Sequence, residues 1–146
     1  MGYISPVKTL CLSSILVFAG ACAASQRGVK ETKRETVRLS EAAEIYWRAL
    51  RFQDYGVAGT YILEAETRAS WLMEMGQAPP VRYSSAVVVS VDVGEEHPVD
   101  DNGITREGTV YIQVEGYRLP DTVVERRLLE QEWALSVEGW VLLEAP

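Results

Sequence analysis

Pro79-Pro80 divides this sequence into two regimes of apolar spacing. Before the pair, large apolar residues recur three and four apart, the repeat of a helix face; after it they alternate or cluster as β-branched runs, the repeat of a strand. A chain that makes this change once, in this order, is of the α+β class, with amino-terminal helices packed on an antiparallel sheet.

The helical half breaks into three pieces. Ser40 can cap by accepting a backbone N–H, Glu41 and Glu44 suit the positive end of a helix dipole, and Ala42, Ile45, Tyr46, Ala49, Leu50 and Phe52 recur near helical spacing. This predicts a first helix from Glu41 to about Gln53. Asp54 caps a second, shorter helix facing inward with Tyr55, Ala58, Tyr61 and Ile62, although Gly56 and Gly59 each cost about 1 kcal/mol relative to alanine. A third helix from Glu64 to Met75 turns Trp71, Leu72 and Met75 inward and ends at Gly76.

The second half reads as four strands. Val81 to Val93 contains the run Ala86-Val87-Val88-Val89; Thr109 to Tyr117 alternates, with Val110, Ile112 and Val114 on one face. Thr122 to Ser136 can place Leu129, Trp133 and Leu135 on one face, and the turn Val137-Glu138-Gly139 leads into Trp140 to Leu143. Alternation then puts Trp140 and Leu142 on the buried face, expected against the first helix near Tyr46 and Leu50.

Ahead of these elements lies an address. Lys8 precedes an apolar run from Leu10, and the small residues Ala19, Gly20 and Ala21 lead into Cys22. This three-part layout resembles a bacterial lipoprotein signal. The resemblance implies cleavage between Ala21 and Cys22, acylation of Cys22, and a protein held on the membrane in the cell envelope. Ala23 rather than Asp after the cysteine implies the outer membrane, facing the periplasm, where a cell has one. The same residues leave open ordinary signal cleavage after Ala21 or Ala24, an uncleaved membrane helix, since Thr9 to Gln26 holds no charge, and a buried cytosolic helix. On the lipoprotein reading the chain divides into a signal peptide (1–21), a basic flexible tether (22–39) and one α+β domain (40–146). Cys11 is lost with the signal, so no disulfide can form within the mature chain and the domain stands on its core alone.

Charge separates the last two parts. The tether carries Arg27, Lys30, Lys33, Arg34 and Arg38 against Glu31 and Glu35, whereas the domain has 8 bases against 19 acids. So acidic a surface repels phosphate backbones, which excludes a nucleic-acid partner.

The segment Ile45-Tyr46-Trp47-Arg48-Ala49-Leu50-Arg51-Phe52-Gln53-Asp54-Tyr55, followed by a helix, long strands and a closing Val137-Glu138-Gly139-Trp140-Val141-Leu142, is similar to nuclear transport factor 2-like domains. That family, which includes ketosteroid isomerase, wraps a curved antiparallel sheet around amino-terminal helices as a cone with an apolar pocket. The resemblance covers Ser40 to Glu144 and implies an interior drawn from residues such as Tyr46, Leu50, Tyr61, Trp71, Trp133 and Trp140. Composition and spacing alone assign those aromatics to the core.

Catalytic chemistry is not legible. An isomerase needs a carboxylate base facing a hydroxyl or protonated carboxyl. Tyr46, Tyr61, Tyr111 or Tyr117 could supply the hydroxyl and Asp54, Glu64, Glu125 or Glu130 the carboxylate, but no spacing selects a pair. His97 stands beside Pro98 in the polar connection Glu95 to Gly103, whose carboxylates match no established calcium loop and whose single imidazole is too few for zinc. No cofactor or metal is expected. Two function classes remain: a membrane-tethered, non-enzymatic module that binds a protein partner or an apolar ligand, which the residues favour, and a small isomerase or hydrolase using the same pocket.

Overall fold

The computed structural model describes residues 20–77, 81–121 and 123–144, with side chains from Gly28 onward. The signal therefore falls almost wholly outside the described residues; Gly20, Ala21 and Cys22 enter only as helical backbone. Three helices, α1 (Gly20–Arg51), α2 (Tyr55–Gly59) and α3 (Ala65–Gln77), precede four strands, β1 (Arg82–Val93), β2 (Arg106–Tyr117), β3 (Glu125–Ser136) and β4 (Gly139–Leu142). The strands form one open antiparallel sheet in the order β1-β2-β3-β4. The α+β class and the meander follow the change of period at Pro79-Pro80. No helix among the described residues is long and apolar enough to cross a membrane.

Alternation along β2 sets the core. Val110, Ile112 and Val114 are buried on the face that meets the helices, while Thr109, Tyr111 and Gln113 face the other way. On the helix side they join Leu39, Ala43, Tyr46, Trp47 and Leu50 of α1, Trp71 of α3, Trp133 of β3 and Trp140 of β4 in one cluster. A smaller cluster of Ile104, Ala134 and Val141, with Leu63 against it, lies on the outer face. Register slips between Tyr83 and Ser85 and between Val88 and Ser90 mark irregularities in β1. Each adds a residue to one strand, which bends it and increases its twist.

Asp54 caps α2 as expected, its Oδ1 accepting the Val57 N–H at 3.2 Å. Trp71 is buried in α3, and Leu72 and Met75 pack beside the core. The chain after α2 then reaches the far edge of the sheet: Leu142 N donates to the Tyr61 carbonyl at 2.6 Å, and Ile62 bridges Leu142 in parallel. Arg68 ties down the same corner by donating from Nε and Nη2 to the Ile62 carbonyl, at 3.1 and 2.7 Å.

Three expectations need correction. The first helix does not start at Glu41 but runs unbroken through the basic stretch. Its polar residues are mostly good helix formers, and tertiary contacts hold it: Leu39 is fully buried, and Glu35 is buried with both oxygens occupied, Oε1 by Arg38 Nη1 (3.1 Å) and Oε2 by Trp140 Nε1 (3.3 Å). Phe52 does not share the buried face. It is exposed because α1 ends at Arg51 and Gln53 turns out with φ +60°. Gly76 does not end α3, which continues to Gln77.

Trp140 is buried as alternation requires, but it bonds to Glu35, about three helical turns before Tyr46. Gly108 permits this close approach, since a Cβ there would lie 2.6 Å from Leu39 Cδ2 and 3.3 Å from the Trp140 ring. Limited trypsin digestion reads the consequence. Cleavage is expected after Lys30 and Lys33, on exposed helix beyond the docked turn, and much more slowly after Arg38, whose backbone is clamped by Glu35 and Leu39. Mass spectrometry of the first fragments checks the order; equal rates at Lys30 and Arg38 would show an undocked helix.

Candidate functional site

The space between helices and sheet, where an internal pocket was expected, is packed with rings. Tyr46 lies at the centre, edge-to-face with Trp47 (centroids 5.7 Å apart), Tyr61 (6.2 Å) and Trp133 (5.9 Å), and Tyr61 meets Trp133 at 5.9 Å. Trp47 continues the chain to Tyr83 at 5.0 Å. The interplanar angles, 70° to 89°, bring positive ring edges onto negative faces. Trp47 Nε1 finds a buried acceptor in Gln131 Oε1 at 2.8 Å, whereas the Tyr46 hydroxyl and the Trp133 and Trp71 indole N–H groups have no partner among the described residues.

Leu50, Trp71, Trp133 and Trp140 are thus core residues, and Tyr61 is half-buried at the core's margin. Burial pushes the Tyr46 hydroxyl far above the usual tyrosine range, with Tyr83 adding to the effect. Enclosed by these rings, the hydroxyl is out of reach of a substrate. The candidate carboxylates lie elsewhere: Asp54 caps α2, Glu64 accepts from Thr67, Glu125 pairs with Arg127, and Glu130 is exposed. The structure brings none of them into hydrogen-bond contact with Tyr46, Tyr61, Tyr111 or Tyr117.

The loop between β1 and β2 uses its polar groups on itself. Asp100 Oδ1 accepts the N–H of Asn102 (2.9 Å) and of Ile104 (2.7 Å), and His97 Nδ1 lies 3.0 Å from the Pro98 carbonyl. Among the described residues no three metal-ligating side chains converge. Arg106, at the end of this loop, is buried; its Nη2 is 3.4 Å from Glu96 Oε2, and its Nε and Nη1 have no partner among the described residues.

An open concavity lies at the other end of the sheet. Where β1 starts, β2 ends and β3 starts, a cleft of about 360 Å³ lies beside the connection after Tyr117. Its apolar lining is Val81, Val114, Val123 and Leu129, around Gly116. A side chain at Gly116 would collide with its wall, since a Cβ there would sit 2.8 Å from Val81 Cγ1. The polar lining is Tyr83, Arg118 and Arg127, with Asp121 and Glu125. Burial raises the Tyr83 pKa, and the positive charges of Arg118 and Arg127 partly offset this.

Sequence reading had passed over Tyr83, Arg118 and Arg127. Their positions, in three different strands or turns, carry no common spacing, and only the β1-β2-β3 register assembles them. Compared with protein-family models, curated proteins and solved structures, the chain matches none.

Proposed function

We propose that this chain is a bacterial lipoprotein, held on the membrane through a lipidated Cys22, whose acidic domain is a non-enzymatic binding module with the cone architecture of nuclear transport factor 2-like domains. The observation that carries the binding reading is the packed interior. Tyr46, Trp47, Tyr61 and Trp133 fill the space in which a pocket enzyme would hold its substrate, and the candidate carboxylates Asp54, Glu64 and Glu125 are engaged elsewhere. The cleft at Val81, Tyr83 and Leu129 remains open to a partner or an apolar ligand.

On this reading the extended α1 is a standoff. Helix from Cys22 to Glu35 rises about 20 Å at 1.5 Å per residue, so the acid-rich domain is carried clear of the headgroups while the basic flank of α1 lies nearest to them. Lipid burial contributes about 0.8 kcal/mol per CH₂, and one chain alone anchors only marginally, so the three chains of a mature lipoprotein keep it on the membrane through high-salt washing. Radioactive palmitate is expected to label the wild-type chain, and Cys22→Ser is expected to lose the label and leave the protein released or unprocessed. Label retained in the serine variant would overturn the assignment.

A further inference from the structure

The bases of the domain are unevenly placed. Of the 8 that follow Ser40, four, Arg82, Arg118, Arg126 and Arg127, stand at the end of the sheet that holds the cleft. Arg126 is engaged by Glu115 and Arg127 by Glu125, while Arg118 has no ion-pair partner among the described residues. Apolar side chains crowd the same end: Leu119, Val123, Val124 and Leu128 are all exposed around the connection. With Glu115, Asp121 and Glu125 counted, this end has four bases against three acids, whereas the rest of the domain has four against 16, so the acidic excess is locally lifted beside an apolar recess.

We infer that the cleft binds a single-chain amphiphile with an anionic head, its acyl chain against Val81, Val114 and Leu129 and its head at Arg118 and Arg127. This names the ligand class for the binding module proposed above and rests on that reading. A planar guanidinium presents paired N–H donors to a carboxylate or a phosphate, and such charge-assisted bonds are about twice as strong as neutral ones. The Tyr83 hydroxyl is the third polar group of the inner wall. Arg127 is already paired with Glu125, and Asp121 also lines the cleft, so the head is met first by Arg118, which has no ion-pair partner among the described residues, and Arg127 joins by exchanging Glu125 for the head. A volume of about 360 Å³ is at the small end of ligand sites, which suits one chain rather than the two of a bilayer lipid. Trp47, near the carboxy-terminal end of α1, meets Tyr83, while Glu35 and Leu39 dock against Trp140 and Gly108, so the cleft lies at the end of the sheet away from the amino-terminal half of α1.

Membranes isolated from cells producing the full chain, free of the activating reactions that would attach fatty acids to Cys22, provide the test. Photoactivatable hexadecanoate, hexadecanol, hexadecylamine and a lysophosphatidate with the same chain are added separately, irradiated, and the adducts mapped by mass spectrometry. Hexadecanoate or lysophosphatidate adducts are expected in 81–83 and 114–129, about tenfold more than with the alcohol or amine, and reduced about tenfold in Arg118→Gln/Arg127→Gln. The better of the two anionic probes identifies the head as carboxylate or phosphate. Both arginines are exposed, so an unchanged urea melt shows that the variant is folded. Equal labelling by the alcohol would overturn the anionic selectivity while leaving the binding module standing. Absence of adducts from both segments would overturn the cleft as the ligand site, and the palmitate experiment decides the anchor independently of either result.

Discussion

Trp133→Ala is expected to lower the unfolding free energy by about 3 to 5 kcal/mol, a large part of the roughly 5 to 15 kcal/mol that holds a domain of this size together. Trp133 is wholly inaccessible and its ring is enclosed by Tyr46 and Tyr61. Truncation leaves a cavity that rigid aromatic neighbours on α1 and the α2–α3 link cannot close by rotating. The loss is one of packing, because the Trp133 indole N–H has no acceptor among the described residues to lose. Trp133→Phe is therefore expected to cost far less: it keeps most of the ring volume and removes a buried donor that was never satisfied. Urea melts of the purified chain measure both changes from the midpoint at unchanged slope. A loss below about 1 kcal/mol for the alanine variant would mean that the aromatic interior is not the core.

Much of this core was legible because burial and period coincide. Val110, Ile112 and Val114 alternate in the sequence and are buried in β2, Asp54 announces the α2 cap, and Trp140 follows a turn that fixes its face. Where the two signals separate, the reading failed. The stretch before Ser40 is polar and charged, so composition suggested loose chain, yet Glu35 is buried because an indole N–H and an arginine meet its two oxygens. A partner 105 residues away leaves no local trace. Phe52 shows the converse, an apolar residue at helical spacing that the end of α1 leaves in solvent.

The cleft was illegible for a related reason. Val81, Val114 and Leu129 are unremarkable strand residues one at a time, and Arg118 and Arg127 resemble any solvated charge. Their meaning comes from register, which pairs Arg82 with Tyr117, Val114 with Arg127 and Gly116 with Glu125 and so gathers one end of three strands. A shift of one residue would send Leu129 and Arg127 to the outer face together.

Trp140→Ala should cost about 3 to 5 kcal/mol, and for two reasons that can be separated. The first is volume, since the indole covers Gly108 beside Leu39 where α1 comes closest to β2. The second is electrostatic. Glu35 keeps a side-chain exposure of only 8%, and without the Trp140 N–H its buried Oε2 loses its donor. A buried acceptor left without a partner costs about 1 to 3 kcal/mol, more when charged. Trp140→Phe isolates that second part and is expected to cost about 1 to 3 kcal/mol, with trypsin cleavage after Arg38 accelerated in step as the first half of α1 loosens. Adding Glu35→Ala removes the stranded carboxylate, so the double variant should be more stable than the sum of the single losses predicts, by about 0.5 to 3 kcal/mol. Strict additivity would show that the indole and the carboxylate do not interact, and the first half of α1 would then be held by Leu39 packing alone.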